Sequence, residues 1–291
     1  NFKMSNLLFS IIIPTYNRAT FVTKSINSFL KQKYKNFEII IIDDGSTDET
    51  RELLKQFNDE RIKYYFQKNL ERGAARNYGF SKSKGDYINF FDSDDLAYNN
   101  HLSSAVEILK FKKLDIFHLG HHKIYNNKIV NINNPDGILN NKILFGNIML
   151  PISTFISREV AKKFKFSSDR ELSGSEDYLY WLEISKKYKI YSFKNVTSAL
   201  VLHSTRSMQT ATGIQTEKRV KKLFEHLDNI NSFSKEELRK IKGNCCLLIA
   251  VQYSLEKNIN KTISYIKNSI KNYPLYILRK SFFVTIKNLI F

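Results

Sequence analysis

Four short, nearly continuous apolar runs alternate with helical stripes in the first hundred residues, and each run stops at a polar cluster. Leu7–Ile13, Phe37–Ile42, Ile62–Phe66 and Tyr87–Phe91 read as strands. The first two have the dense apolar character of strands buried on both faces. Between them, Phe21, Ile26, Phe29 and Leu30 form a helical stripe that runs to Gln32. Ser46-Thr47-Asp48-Glu49 has the spacing of a capping box and predicts a helix through Leu53, Leu54 and Phe57. Further helices are expected over Ala74–Phe80 and His101–Lys110, with another strand over Asp115–Leu119. Strands interleaved with helices imply an α/β fold whose mainly parallel sheet is covered on both faces. Ligands of such sheets bind beyond the carboxyl ends of the strands, where the polar clusters fall.

The pattern loosens after about residue 125. Ile152–Ser157 suits a strand and Glu159–Phe164 a short helix. Ser173-Gly174-Ser175-Glu176 is a second capping-box pattern, opening a helix through Tyr178, Trp181, Leu182 and Ile184. From about Thr216 the chain becomes helical and basic, which suggests a domain over residues 1–215 and a helical appendage over 216–291. The formal net charge is +18, and from Lys257 onward there are seven basic residues and no acid. Such a bias fits a polyanionic partner, or simply a soluble surface in a Lys- and Asn-rich chain. No RNP-like, zinc-finger or homeodomain pattern accompanies it, so a nucleic acid is not the expected partner. Cys245 and Cys246 are adjacent, a poor geometry for pairing with each other. No secretory leader precedes the first strand and no apolar run reaches transmembrane length, so the expected location is cytoplasmic.

Asp92-Ser93-Asp94-Asp95 is the most informative cluster. Carboxylates packed at one strand end repel unless a cation or hydrogen-bond donors compensate. Hard oxygen ligands suit Mg²⁺ or Mn²⁺, although a solvated acidic turn would show the same residues. Asp43-Asp44-Gly45-Ser46 closes the second strand; a turn accounts for Gly45 and Ser46 but leaves both acids unexplained. Arg72 and Arg76 flank small residues near a helix start, suited to a phosphate or base edge, or else ordinary surface arginines. Glu176 matches the capping pattern, whereas Asp177 is not needed by it and is a candidate general base. His203 follows the apolar run Ala199–Leu202 and precedes Ser204-Thr205-Arg206-Ser207, where a phosphate or metal role competes with a structural one. His118, His121 and His122 lack an acid or cysteine at metal-binding spacing. Neither GxGxxG after the first strand nor GxxxxGK[ST] occurs, which argues against a dinucleotide dehydrogenase and a P-loop phosphotransferase.

Taken in order, Phe9–Arg18 (FSIIIPTYNR), Phe37–Thr47 (FEIIIIDDGST), Arg72–Asn77 (RGAARN), Gly85–Asp95 (GDYINFFDSDD) and Ser175–Leu182 (SEDYLYWL) resemble the family 2 glycosyltransferases of GT-A fold. The resemblance implies an inverting, metal-dependent transfer of a hexose or N-acetylhexosamine from a nucleotide-sugar, by default a UDP-sugar, to an acceptor hydroxyl. It implies that Pro14 and Tyr16 line the nucleotide pocket and that Asp43 or Asp44 reads the base. Arg72 and Arg76 would contact the base or diphosphate, and Asp92, with Ser93 beside it, would face the ribose or donor sugar. Asp94 would hold Mn²⁺ or Mg²⁺, with His203 matching a late histidine near the diphosphate. Asp177 would be the catalytic base and Glu176 a positioning neighbour. Asp95 exceeds the minimal motif.

In the tail, Leu275, Leu278, Phe282, Ile286 and Leu289 form a rough helical stripe with Lys280 and Lys287 on another face. A basic amphipathic segment of this kind suits peripheral contact with an anionic membrane; the resemblance implies a lipid-linked glycan acceptor, met at the cytoplasmic face of the inner membrane. A packed appendage or oligomer contact would give the same pattern. Two rival functions stand beside the transferase: a nucleotidyltransferase, which would ordinarily show a Gly-rich loop after the first strand, and a non-catalytic nucleotide- or polyanion-binding module.

Overall fold

Every residue of β1 (Phe9–Thr15) and β2 (Phe37–Asp43) is buried, as their apolar density demands. The computed structural model describes residues 6–204, 206 and 211–290. It divides into two units, the first comprising Asn1–Leu139, Met149–Arg170 and Lys187–His203.

In this first unit β1 leads through α1 (Ala19–Leu30) to β2, then through α2 (Thr50–Leu54) to β3 (Ile62–Phe66). Next come α3 (Glu71–Lys82), β4 (Tyr87–Phe90), β5 (Leu96–Ala97), α4 (His101–Phe111) and β6 (Ile116–Tyr125). Short strands β7 (Lys128–Val130) and β8 (Gly137–Ile138), then β9 (Thr154–Ser157), α5 (Arg158–Lys163) and, after a helix of the second unit, β10 (Tyr191–Leu202) complete it. The sheet order is β3-β2-β1-β4-β9-β6-β10-β5, with β7 on β6 and β8 on β10. The block β3-β2-β1-β4 is parallel, as the alternation of strands and helices requires. Beyond it, β9 runs antiparallel to both β4 and β6, while β10 returns parallel to β6. The parallel block thus aligns the carboxyl ends of β1, β2 and β4 along one edge.

Phe9, Ile11 and Ile13 pack with Val22, Ile26 and Phe29 of α1 on one face of the sheet. On the other, α3 approaches so closely that a Cβ on Gly79 would lie 2.3 Å from Cγ2 of Ile12 and 3.2 Å from Cγ1 of Ile42. Gly79→Ala is therefore expected to lower unfolding free energy by about 1–3 kcal/mol, as overpacking does. An unchanged urea midpoint in that variant would mean that α3 does not sit against β1 as described.

The second unit comprises Asn140–Ile148, Glu171–Lys186 and Ser204–Phe291. Its helices are α6 (Glu176–Ser185), α7 (Gly213–Ile230), α8 (Lys235–Leu255), α9 (Ile259–Asn272) and α10 (Lys280–Ile290). This unit groups two earlier segments with the C-terminal helices that begin after Ser204. Among the described residues no helix is long and apolar enough to cross a membrane.

The capping box expected at Ser46 does not form. The Ser46 hydroxyl is drawn instead to the backbone N–H of Asn17, and α2 begins after Glu49 without a side-chain cap. Glu176 is the first residue of α6, and its Oε2 accepts from Gly174 N–H at 2.6 Å. Short polar side chains near a turn take whichever backbone group the tertiary structure presents. True capping boxes occur at Thr212/Gln215, opening α7, and Ser234/Glu237, opening α8. The apolar stripe expected in the tail also breaks up. Leu275 and Leu278 belong to a 3-10 turn over Pro274–Leu278, and Phe282, Ile286 and Leu289 are the half-buried side of α10.

Candidate active site

The turns after β1 and β2 are built as one piece. Asn17 adopts φ +49°, a left-handed conformation that asparagine tolerates better than most residues. Its Oδ1 accepts from the N–H groups of Thr47 at 2.8 Å and Asp48 at 3.3 Å, and its own N–H donates to Ser46 Oγ at 2.9 Å. Gly45 has φ +87°, and a Cβ there would lie 2.9 Å from Asn69 N. Both conditions favour glycine at this point of the turn.

The two acids that the sequence left unexplained close this structure. Asp43 is fully buried; its Oδ1 accepts from Ser46 N–H and its Oδ2 from the Tyr64 hydroxyl, each at 2.8 Å. Asp44 Oδ1 accepts from Gln67 Nε2 at 2.6 Å and Leu70 N–H at 2.9 Å. Burial nevertheless pushes the Asp44 carboxyl up from its usual range, against the hydrogen bonds that lower it. Beside these turns Pro14 is buried within β1, while Tyr16 stands 47% exposed at its carboxyl end.

The Asp92–Asp95 turn follows β4 on the same edge, and its acids are reached from α3, the end of β10 and His203. Arg76, only 2% exposed on α3, donates from its Nη2 to Asp92 Oδ1 at 2.9 Å, with its guanidinium 5.1 Å above the Phe166 ring. Arg76 is therefore a buried support for Asp92, whereas Arg72 lies one turn earlier and is half-buried. Ser93 is buried within the turn. Asp95, also fully buried, accepts from Val201 N–H at 2.8 Å and so fastens the end of β10 beside the turn. That strand delivers His203, whose Nε2 lies 2.9 Å from Asp94 Oδ2. The His203 ring stacks on Phe21 with centroids 4.5 Å apart. The structure thus brings together Asp92, Asp94, Asp95, Arg76 and His203, with Asp94 and His203 109 positions apart along the chain. Of the run after His203, Thr205 and Ser207 lie outside the described residues.

Glu176 and Asp177 stand at the start of α6 in the second unit. Glu176 is 3% exposed and serves the backbone of Gly174. Asp177 Oδ1 accepts from Tyr178 N–H at 2.7 Å, and its Oδ2 accepts from Asn147 Nδ2 at 3.0 Å. The Tyr178 hydroxyl in turn donates to Ile143 O at 2.9 Å, tying α6 to the segment that carries Asn147.

Phe21, Tyr64 and Asn147 were not legible as site neighbours, since each touches its acid or histidine from a distant segment. Asn17 carried a signal: an asparagine directly after a strand-ending Pro-Thr-Tyr is suited to a left-handed turn. His118 and His121 are buried core histidines, and among the described residues no group of three or more His, Cys, Asp or Glu side chains could hold a metal. Asp94 and His203 form a pair, not a closed cage.

A parallel sheet that gathers acidic turns at the carboxyl ends of its strands places them where open α/β sheets bind their ligands. The model of the glycosyl transferase family 2 matches residues 10–164. The chain belongs to that family. A Rickettsia conorii protein described as an uncharacterized glycosyltransferase is 31% identical over 95% of this chain and 46% of its own length. The chain therefore spans about half of that relative. The Escherichia coli UDP-Glc:alpha-D-GlcNAc-diphosphoundecaprenol beta-1,3-glucosyltransferase WfgD is 29% identical over 82% of this chain and 91% of its own. Among solved structures, the mannosyltransferase PcManGT from Pyrobaculum calidifontis, in complex with GDP-Man and Mn²⁺, superposes with a TM-score of 0.63. That match has 15% identity and covers 97% of this chain and 84% of the other, so it speaks for the fold.

Proposed function

We propose that this chain transfers a hexose or N-acetylhexosamine from a nucleotide-sugar to an acceptor hydroxyl, with inversion and with a divalent cation. The observation that carries the reading is the Asp94–His203 pair, 2.9 Å apart where the β4 turn meets the end of β10. A carboxylate oxygen beside an imidazole nitrogen is a donor set suited to Mn²⁺, and less to Mg²⁺, which prefers oxygen alone. Two protein donors leave the remaining positions to phosphate oxygens, as is usual where a cation serves a diphosphate. When bound, the cation would neutralise charge on the departing nucleoside diphosphate.

The protein's own residues perform the rest. Tyr16 and Pro14 border the nucleotide, Asp43 and Asp44 hold the floor of its pocket, and Arg72 and Arg76 serve the diphosphate side, Arg76 by fixing Asp92 toward the donor sugar. Asp177 takes the proton of the attacking hydroxyl, and a single displacement inverts the anomeric carbon. Glu176 and Asn147 hold the start of α6 and its Asp177 carboxylate. A UDP-sugar is the favoured donor and a lipid-linked glycan the favoured acceptor, supported by the activity named for WfgD. The Mn²⁺ named in the PcManGT complex supports the choice of cation. With such an acceptor, the proposed site of the reaction is the cytoplasmic face of the inner membrane.

Calorimetric titration of UDP, GDP and dTDP, each with and without Mn²⁺, tests the proposal. One nucleotide is expected to bind, more tightly with Mn²⁺, and Asp94→Ala is expected to remove that enhancement. Absence of binding by all three would overturn the transferase reading. Equal binding with and without Mn²⁺ would overturn the metal assignment alone.

A further inference from the structure

The last acid in the chain is Glu256, and from Lys257 onward the described surface of the second unit combines lysines with exposed apolar side chains. Two groups of contacts decide which way α10 faces. Thr285 is fully buried and Asn288 Nδ2 donates to Ser254 Oγ of α8 at 3.1 Å, so this side of α10 is packed. Lys280, Phe283, Val284 and Lys287 are all exposed, and their i, i+3, i+4, i+7 spacing puts them on one opposite face. Phe283 is 60% exposed, and directly before the helix the 3-10 turn leaves Leu275, Ile277 and Leu278 exposed as well. Lys257 and Arg279 are set apart from this face: Lys257 donates to Asn288 O at 2.9 Å, and Arg279 lies over the rings of Phe145 and Tyr276.

We propose that this face, Leu275, Ile277 and Leu278 with Lys280, Phe283, Val284 and Lys287, docks on an anionic lipid bilayer. The commitment to lipid rests on charge complementarity. Two lysines bracket an aromatic and a branched aliphatic side chain with no acid on the helix or its approach, which is the chemistry of an interfacial amphipathic helix. Headgroup phosphates pair with the ammonium groups, while Phe283, Val284 and the 3-10 leucines enter the acyl boundary. The proposal deepens the transferase reading by naming where a lipid-linked acceptor is met; docking itself is a property of this surface and survives if that reading fails.

Co-sedimentation of the full chain with phosphatidylglycerol/phosphatidylcholine vesicles, against pure phosphatidylcholine vesicles, is the test. Binding is expected only to the anionic vesicles and is expected to weaken as salt is added. Lys280→Gln with Lys287→Gln should lower partitioning about thirtyfold, the loss expected for two surface charges. Phe283→Ser should lower it roughly tenfold or more. These side chains are exposed, so thermal melts and nucleotide titration should be unchanged in both variants, which separates failure of docking from failure of the active site. No binding by the unmodified chain, or equal binding by the variants, would overturn the proposal. Self-association that Phe283→Ser abolishes, without vesicle binding, would assign the face to a second copy instead.

Discussion

Asp177→Asn is expected to lower sugar transfer about 10³-fold, within the usual range for loss of a general base, with nucleotide affinity within about twofold of the original. The amide cannot take the proton of the attacking hydroxyl at neutral pH, yet it has nearly the shape of the carboxylate. Its oxygen can still accept from Tyr178 N–H, and Asn147 can turn its own amide so that its oxygen meets the new NH₂ group. The start of α6 therefore survives the change, and the loss falls on kcat. The informative comparison is Glu176→Gln. Glu176 is buried and occupied with Gly174 N–H, a bond that a glutamine oxygen can replace. Its variant is expected to keep most of the turnover. Steady-state transfer by the two variants, alongside calorimetric nucleotide titration, decides the matter. Near-normal turnover in Asp177→Asn would remove Asp177 as the base, and a loss confined to Glu176→Gln would move that role to Glu176.

How far the sequence speaks for the structure depends on the distance between partners. Strands that declare themselves by local composition were readable nearly to the residue: Ile62–Phe66 was expected and is β3. The 12-residue β10 escaped beyond its last apolar run, because its middle, Phe193-Lys194-Asn195, is broken by a shift of register against β6. The capping box expected at Ser46 failed for a related reason. Ser46 has the right neighbours in sequence, but the turn after β1 claims its hydroxyl first. The identities of the acids were legible and their division of labour was not. Asp95 looked superfluous to a metal motif, and its partner Val201 lies 106 residues away. Asp43 or Asp44 was expected to read a base; the hydrogen bonds of both run to the β2 turn, Tyr64 and the segment after β3. Arg76 could not be told from a surface arginine until α3 was seen to bury it against Asp92. The tail misled in phase: the apolar residues chosen from spacing are half-buried or lie in the 3-10 turn, and the face left to solvent carries Phe283 and Val284 between the two lysines.

Acid is expected to destabilise the first unit above the range in which carboxylates titrate. Burial holds the imidazoles of His101 and His118 down to a pKa of about 3 and that of His121 down to about 4. His101 sits between Thr197 Oγ1 at 2.9 Å and Asn89 Oδ1 at 3.1 Å. Because the Asn89 amide donates to three carbonyls, its oxygen faces His101 and must accept from Nε2–H. His118 Nδ1 lies 3.2 Å from Ser192 Oγ, whose proton goes to Pro135 O, so Nδ1 carries the proton there. Its Nε2 and the Nδ1 of His121 have no hydrogen-bond partner among the described residues. In the unfolded chain all three titrate near 6.5. Between that pH and about 4 the unfolded state therefore binds more protons, and stability falls as pH falls. At pH 5 the loss is about 2 kcal/mol for each imidazole, or about 6 kcal/mol together, against a typical total of about 5–15 kcal/mol. Carboxylates held low, such as Glu38 beside Lys63, add a loss in the same direction only below their own unfolded value, near 4.3. Asp44, raised by burial, works the other way, because its folded form takes up a proton first. The window from pH 6.5 to 5 thus belongs chiefly to the histidines. Urea midpoints at pH 7.5 and 5.0 should differ strongly, and His118→Gln, which cannot be protonated, should remove about a third of the difference. A midpoint that stays flat over this range would mean that these imidazoles are already charged, or solvated, in the folded protein.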